Sequence, residues 1–246
     1  MKKFLISTML FLFAATAFAQ DFSGNVHAQS SFLDRGRTLS EIPDFTGLPA
    51  GDIPSVGVTA RVDNLFVDGL FVQGDFDTVK GGVLGKPQTI VRQEYELGYR
   101  YTFDRLTLQG SVAQTRNSLF YSYQDYTEAR LSAKYKLTDS VALRAGVERL
   151  VNPFPNDTYY YGAVDFDVND KLTTGLLVSG YYYGDRAYPV NKNVFNNAEV
   201  FASYDVGKFT VSGLYSVGGD DLNKGFNPYP VWEVKNVWTV NLSYNF

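Results

Sequence analysis

The last nine residues of the chain alternate strictly between apolar and polar side chains. Trp238, Val240, Leu242, Tyr244 and Phe246 occupy every second position, and Thr, Asn or Ser fill the positions between them. Because the side chains of a strand point alternately to opposite faces, the segment predicts a strand with one apolar and one polar face. Such a strand is suited to separating an apolar environment from water.

The first nineteen residues have the three parts of a secretory signal peptide. Two lysines follow Met1, residues 4–13 are mostly apolar, and Ala17-Phe18-Ala19 provides small residues before a cleavage site. The apolar run is shorter than the roughly 20 residues that cross a bilayer as a helix, which disfavours a membrane anchor. We therefore expect 1–19 to be removed and 20–246 to form one domain.

Behind an export signal, the C-terminal strand resembles the final strand of bacterial outer-membrane barrels. This resemblance implies that Leu242, Tyr244 and Phe246 form a signal for the barrel-assembly machinery of a Gram-negative outer membrane. In lipid, strands must close into a barrel because every backbone polar group needs a partner. A mean hydropathy of −0.16 fits strands that are half lipid-facing and half interior-facing. A secreted β-sandwich is the alternative fold, but it does not explain charges that follow one face so regularly.

About twelve alternating segments have the length of tilted membrane strands, roughly 9–11 residues. They are 22–33, 55–63, 66–77, 91–103, 106–116, 125–137, 141–151, 158–168, 172–184, 196–206, 209–218 and 233–246. Short turns at 63–65, 104–105, 138–140, 169–171 and 207–208 alternate with longer connections at 34–54, 78–90, 117–124, 152–157, 185–195 and 219–232. The sequence thus predicts an antiparallel up-and-down barrel with short periplasmic turns, longer extracellular loops and both termini in the periplasm.

The hairpin registers agree with one lipid-facing and one interior face. Across Asp104-Arg105, Leu97 and Val112 are expected to pair outside and Glu96 to point inside. Across 138–140, Lys134 is expected to lie opposite Arg144 inside the barrel. A one-residue slip would turn both cations into lipid, at about 2–4 kcal/mol each near the midplane.

The like-charged pair Lys134 and Arg144 needs compensation by carboxylates or water. Asp165 and Asp167 follow on the next strand and are the expected partners, and Arg100 is expected to join them. The sequence therefore predicts a ladder of charges across a narrow interior.

Charged residues of both signs follow the interior face along most of the chain. The candidates for lining the lumen are Arg61, Glu96, Arg100, Arg130, Lys134, Arg144, Glu148, Asp165, Asp167, Glu199 and Asp205. Asp63, Glu94, Glu128 and Lys136 share the same face.

Outward aromatic residues predict two belts at the lipid headgroup levels. The belt near the turns contains Phe103, Tyr135, Phe166, Tyr204, Phe209 and Phe246. The belt near the loops contains Phe32, Tyr160, Tyr182, Tyr215 and Trp238. Within the two Tyr triplets, hydroxyl groups favour inward positions for Tyr159, Tyr161, Tyr181 and Tyr183.

The segment Val26 to Arg37, with Ser30-Ser31-Phe32-Leu33-Asp34-Arg35-Gly36, is similar to the start of the TorF-type porin family. The hairpin 54–72, the strand Glu94 to Tyr99 and the terminal Phe have a similar layout. The chain departs from the family pattern by having Leu33-Asp34 where an arginine often lies close to the ring. The resemblance covers most of the mature chain and implies an outer-membrane barrel for passive transport.

Catalytic chemistry finds little support in the residues. His27 is the sole histidine, and no acidic residue lies beside it in sequence. Ser30 points to the opposite face, and Ser31 lies about 13 Å along the strand, so neither suits a nucleophile. Asp220-Asp221 lacks the ligand spacing of an EF-hand, and the absence of Cys excludes thiol chemistry. We expect His27 to be an inward polar residue near the periplasmic mouth, and the chain to have no enzymatic activity, metal or cofactor.

A barrel of about twelve strands lies between small filled barrels and wide porins. The favoured function is a porin-like channel for passive diffusion of small solutes through a narrow charged lumen. The alternatives are a closed barrel that is structural or presents loops and, as a minor one, a lipid-modifying enzyme. The net charge of −4 becomes −6 without the signal and gives no reason to expect nucleic acid or anionic lipid as a partner. The solute, the ion preference and the oligomeric state stay open.

Overall fold

The computed structural model describes residues 21–30, 33–34, 37–38, 55–83, 86–117, 125–152, 156–182, 184, 193–218 and 236–246. In this part of the chain, twelve antiparallel strands form a closed barrel in which sequence neighbours pair and the last strand pairs with the first. The predicted fold class is therefore confirmed. No helix among these residues is long and apolar enough to cross a membrane.

The barrel strands are β1 Asp21–Gln29, β2 Ser55–Asp63, β3 Leu70–Val83, β4 Lys86–Phe103, β5 Leu106–Asn117, β6 Tyr126–Lys136, β7 Val141–Asn152, β8 Thr158–Asn169, β9 Leu172–Tyr182, β10 Asn193–Val206, β11 Phe209–Gly218 and β12 Val237–Asn245. A separate two-residue ladder joins Leu33–Asp34 to Arg37–Thr38. The predicted export signal, Ser31, Phe32, Tyr183 and Asp220-Asp221 lie outside the described residues.

The predicted registers are confirmed. Leu97 pairs with Val112 and both are exposed on the outer surface. Lys134 lies directly opposite Arg144, as expected. The large exposed apolar side chains occur on the face that the alternation assigns to lipid, because period two sends every second residue outward.

Closure of the barrel depends on the pairing of β12 with β1. The polar positions meet as expected, with Asn25 opposite Asn245 and His27 opposite Ser243. The backbone N–H of Phe246 donates to the carbonyl of Gly24 at 3.0 Å. The ring of Phe246 then lies over β1, with its centroid 6.0 Å from that of Phe22.

Two predicted connections are wrong. The loop expected at 78–90 is mostly strand, because β3 extends to Val83 and β4 begins at Lys86. The turn expected at 63–65 is a longer bend from Asn64 to Gly69. Its backbone is unusual, since both Asn64 and Phe66 have positive φ.

The bend between β2 and β3 folds against the outer wall of the barrel. Leu65 packs on the buried side chain of Val62, with Leu70 and Val72 beside them. This packing leaves Phe66 exposed outside the turn ends. Apolar contact rather than a tight hairpin therefore determines the shape of this connection.

The aromatic belts form where their strands place them. Every predicted aromatic of the turn-end belt is exposed, and Tyr215 stacks on Trp238 near the loops, with centroids 4.4 Å apart. Tyr159 and Tyr181 are buried, in agreement with their predicted inward orientation.

A substitution at Gly24 tests how closely the C-terminal Phe246 packs against β1. A Cβ at Gly24 would lie 2.5 Å from the carbonyl oxygen of Thr59 and 2.7 Å from the ring of Phe246. We expect Gly24→Ala to lower the free energy of unfolding by about 1–3 kcal/mol through overpacking. Urea unfolding in lipid vesicles, with heat-modifiable gel migration as the check on folding, measures this change.

Gly213→Ala adds the same methyl group where no heavy atom lies within 4 Å, and it is the matched control. We expect this control to change the free energy of unfolding by at most about 0.5 kcal/mol. Equal stability of the two variants would contradict the proposed seat of Phe246.

Candidate functional site

The shortest ion pair of the described interior is formed by Arg130 on β6. Its guanidinium donates to Glu94 at 2.6 Å, to Glu96 at 3.2 Å and to Glu128 at 2.9 Å. Between Glu96 and Glu128 the register places the small side chain of Ala113, which leaves room for this crossing. We name Arg130 with these three glutamates the Arg130 cluster.

The Arg130 cluster is almost shielded from water, and only 1% of the side chain of Glu128 is exposed. Glu94 also accepts hydrogen bonds from Thr115 at 3.0 Å and from Arg92 at 3.0 Å. Glu148 lies directly across from Arg130 on β7. Buried carboxylates need such donors because an unpaired charge in a low-dielectric interior is costly.

A second ion pair lies nearer the turns. Arg144 on β7 donates through two nitrogens to Asp165 on β8, at 2.7 and 2.9 Å. The expected compensation of Arg144 by Asp165 is therefore confirmed. Lys134, on the neighbouring strand, is exposed and forms no ion pair with a described residue.

Two expected members of this group lie elsewhere. Asp167 instead accepts a hydrogen bond from Thr173 at 2.8 Å, beside the turn between β8 and β9. Arg100 donates to Gln109 at 3.3 Å and comes within 4.0 Å of Asp63. Both predictions were wrong because strand tilt and register, rather than strand order alone, decide which charges meet.

A third group forms on β2 and β3 and is named the Arg61 cluster. Arg61 donates to both oxygens of Asp63, at 2.8 Å for the shortest contact, and to Gln73 at 3.1 Å. Its guanidinium lies 4.0 Å from the ring centroid of Phe71, which is fully buried. This cation–π contact fills the interior beside β3.

The remaining candidates, Glu199 and Asp205, accept hydrogen bonds from uncharged side chains. Glu199 accepts from Asn197 at 2.6 Å and Asp205 accepts from Thr210 at 2.6 Å. A register shift opposite Ser179 allows both Asn196 and Asn197 to be buried, and Ser179 contacts both side chains. This β-bulge was not predicted, because two adjacent residues on one face break the period of two.

Water reaches the interior charges unevenly. Nearer the turns, the side chains of Arg100 and Arg144 are 41% and 31% exposed, and Lys134 and Asp205 are exposed as well. The Arg130 cluster, further from the turns, is nearly dry. The interior therefore combines a wet half near the turns with a more crowded level above it.

The single histidine lies deeper in the barrel than expected, six residues along β1 from Asp21. Its Nε2 lies 2.9 Å from Oδ1 of Asp77, and its Nδ1 lies 3.0 Å from Oδ1 of Asn25. Gly57 separates His27 from Asp77, and a Cβ there would lie 2.5 Å from Nε2. No serine hydroxyl of the described residues forms a hydrogen bond with His27, and Ser31 lies outside these residues.

Several interior residues were not predicted. Arg92, Asp75, Asp77 and Phe71 fall on the inward face by simple alternation, so the period of two was the available signal. Within the described residues, no group of three or more His, Asp or Glu side chains is arranged to hold a metal ion.

Removal of the Arg130 guanidinium tests how much this side chain contributes to the stability of the barrel. We expect Arg130→Gln to lower the free energy of unfolding by about 3–5 kcal/mol, because three buried glutamates lose their shared cation. Urea unfolding in vesicles measures the loss. Lys134→Gln removes a cation from the same strand without breaking an ion pair and serves as the control. A loss of similar size in both variants would contradict this account.

No protein-family model matches the chain, and no curated protein matches it. Among solved structures, the chain is similar to the KdgM porin, with a TM-score of 0.58 and 11% identity over 91% of this chain and 99% of that one. It is similar to the NanC porin, with a TM-score of 0.54 and 13% identity over 90% and 98%. It is also similar to an outer membrane phospholipase dimer of Salmonella typhi with bound calcium, at a TM-score of 0.50 and 9% identity over 92% and 91%. The chain thus has the fold of outer-membrane barrels, a fold that these two porins and this phospholipase share.

Proposed function

We propose that the chain is an outer-membrane channel through which small solutes diffuse passively past charged side chains. The observation that carries the proposal is the group of water-exposed charges inside a closed barrel: Arg100, Lys134, Arg144 and Asp205. Charged side chains in a water-filled barrel set ionic selectivity. A purely packed interior has no need for them.

Carboxylates outnumber basic groups on the described interior face. The basic residues are Arg61, Arg92, Arg100, Arg130, Lys134, Lys136 and Arg144. The acidic residues are Asp21, Asp63, Asp75, Asp77, Glu94, Glu96, Glu128, Glu148, Asp165, Asp167, Glu199 and Asp205. Because an excess of carboxylates attracts cations and repels anions, this balance favours cations over anions in the path.

The Arg130 cluster is the proposed constriction. Its side chains cross from β4 to β6, and its glutamates are buried. Solutes that enter the wet half must pass beside this cluster. The KdgM porin has also been solved in complex with disordered oligogalacturonate, which is an acidic ligand. The acidic excess here supports small cations and neutral solutes instead.

The same proposal includes location and assembly. The apolar outer surface and the aromatic belts support insertion into the outer membrane of a Gram-negative bacterium, with short turns and both termini in the periplasm. Residues 1–19 are the proposed export signal, and Leu242, Tyr244 and Phe246 the proposed signal for the assembly machinery. Membership of the TorF-type porin family is part of this proposal.

A second function, a closed structural or loop-presenting barrel, is favoured by one observation. Phe71, Thr115, Glu128 and Asn197 point inward and are almost completely buried. Side chains packed to this extent can block a narrow lumen. A conductance measurement distinguishes this closed barrel from an open channel.

Planar-bilayer recording of the purified barrel under a salt gradient tests the channel. We expect discrete conductance steps and a reversal potential that shows cation preference. Lys134→Glu replaces an exposed interior cation by an anion and should increase that preference. Absence of steps would overturn the channel, and unchanged selectivity in Lys134→Glu would remove Lys134 from the path.

The closed barrel makes a different prediction. If Phe71 and its neighbours block the lumen, the wild type should be silent and Phe71→Ala should conduct, because the substitution removes a buried ring from the interior. Heat-modifiable migration must show that the variant is folded, since loss of a buried Phe costs about 3–5 kcal/mol. Phe209→Ala removes an outward ring and is the matched control, for which no gain of conductance is expected.

A further inference from the structure

The water-exposed charges of the wet half are divided by sign between two sides of the barrel. The exposed inward cations lie on β4 and β6: Arg100, Lys134 and Lys136. The exposed inward carboxylates lie on β8, β10 and β1: Asp167, Asp205 and Asp21. We name the first group the cationic side and the second group the acidic side.

The other inward charges of the same level neutralise each other. Arg61 donates to both oxygens of Asp63, and Arg144 donates to both oxygens of Asp165. All the inward charges of this level lie no more than four residues from the turn ends of their strands. At about 3.3 Å per residue and a tilt near 40°, they occupy a layer about 10 Å thick. The two ion pairs add no net charge to either side.

The charges of the two sides are not cancelled by close partners among the described residues. Each carboxylate of the acidic side accepts a hydrogen bond from an uncharged side chain, at 2.6–2.9 Å, and the donors are Thr173, Thr210 and Asn64. Lys134 and Lys136 form no ion pair within the described ranges. Arg100 comes within 4.0 Å of Asp63, a carboxylate whose two oxygens already accept from Arg61.

Charges in the turns leave this division in place. The turn between β4 and β5 carries Asp104 and Arg105, which cancel, and the turn between β8 and β9 likewise carries one acid and one base. Single charges occur in three other turns: Asp68, Asp139 and Lys208. Asp139 adjoins the cationic side, whereas Lys208 and Asp68 adjoin the acidic side. The net charge of each side therefore keeps its sign.

The two sides face each other across the lumen. In a closed barrel of twelve strands, strands that are six apart lie opposite, so Asp205 on β10 faces Arg100 on β4. Asp21 on β1 is five strands from Lys134 and Lys136 on β6. Twelve strands about 4.8 Å apart and tilted by about 40° give a backbone diameter of about 24 Å. An electric field therefore crosses the lumen from the cationic side to the acidic side.

We propose that this field selects small zwitterionic solutes, such as free amino acids, among the solutes that enter the wet half. The carboxylate of the solute turns towards the cationic side and its ammonium group towards the acidic side, so both charges gain Coulomb energy. A zwitterion has no net charge, and the overall excess of carboxylates does not repel it. Fixed charges of this kind raise the local concentration of the solute that they attract. The inference rests on the proposed channel function.

Uptake of isotope-labelled glycine and glycolamide into vesicles that contain the refolded barrel tests the proposal. The two solutes are isomers of the same size, but only glycine is a zwitterion at neutral pH. At low ionic strength, and after subtraction of uptake by protein-free vesicles, we expect glycine to enter about threefold faster than glycolamide. With KCl at about 1 M on both sides of the membrane, the Debye length falls to about 3 Å, and the two rates should become equal.

An exchange of charges between the two sides separates their arrangement from their sum. K134D/D205K keeps the net charge of the interior and reverses one charge on each side, so we expect the rates of glycine and glycolamide to become nearly equal. The rate of glycolamide should stay within about twofold of wild type, because this solute carries no charge. D170K/K171D makes the same exchange within one turn and is the matched control, in which the preference for glycine should persist. Heat-modifiable migration checks that both variants are folded.

The outcomes distinguish this inference from the channel itself. Equal rates for the two isomers in the wild type, both above the protein-free rate, would overturn the selection of zwitterions and leave the channel standing. Uptake of neither solute would overturn the channel and this inference together. A preference for glycine that survives in K134D/D205K, or that is lost to the same extent in D170K/K171D, would also overturn the role assigned to the two sides.

Discussion

Closure of the backbone ladder between β12 and β1 is the constraint on which the rest of the structure depends. An open edge would leave N–H and C=O groups without partners in lipid, so the last strand must meet the first. Once the sheet is closed, each residue faces either lipid or the interior. The hydrogen bond from Phe246 to Gly24 and the close contact of its ring lie at the turn end of this pairing.

The closed interior then has its own electrostatic requirement. Charges that leave water must find partners, and the Arg130 cluster shows the solution in its densest form, with one guanidinium shared by three glutamates. Towards the turns, Arg144 keeps an ion pair with Asp165 while part of its side chain meets water. The same wall therefore contributes both a proposed constriction and a proposed entrance.

The outer wall is subject to the opposite requirement, since lipid tolerates charge only near the headgroups. The two outward charges on the described strands, Arg116 and Arg149, both lie near the loop ends of β5 and β7. One face of each strand thus lines the interior and the other faces lipid, and the period of two separates the side chains of the two faces. A substitution on one face can be tested without altering the other.

Local alternation in the sequence was sufficient to predict the barrel, the pairing of Lys134 with Arg144 and the belts, because the strand period alone sends each side chain in or out. It was insufficient where contacts depend on tilt, packing or a bulge. The separation of Arg100 from Arg144, the bend packed by Leu65 and the buried Asn196 were decided only by tertiary structure. Periodicity fixes the face of a residue, whereas the neighbours across the lumen depend on how all the strands close.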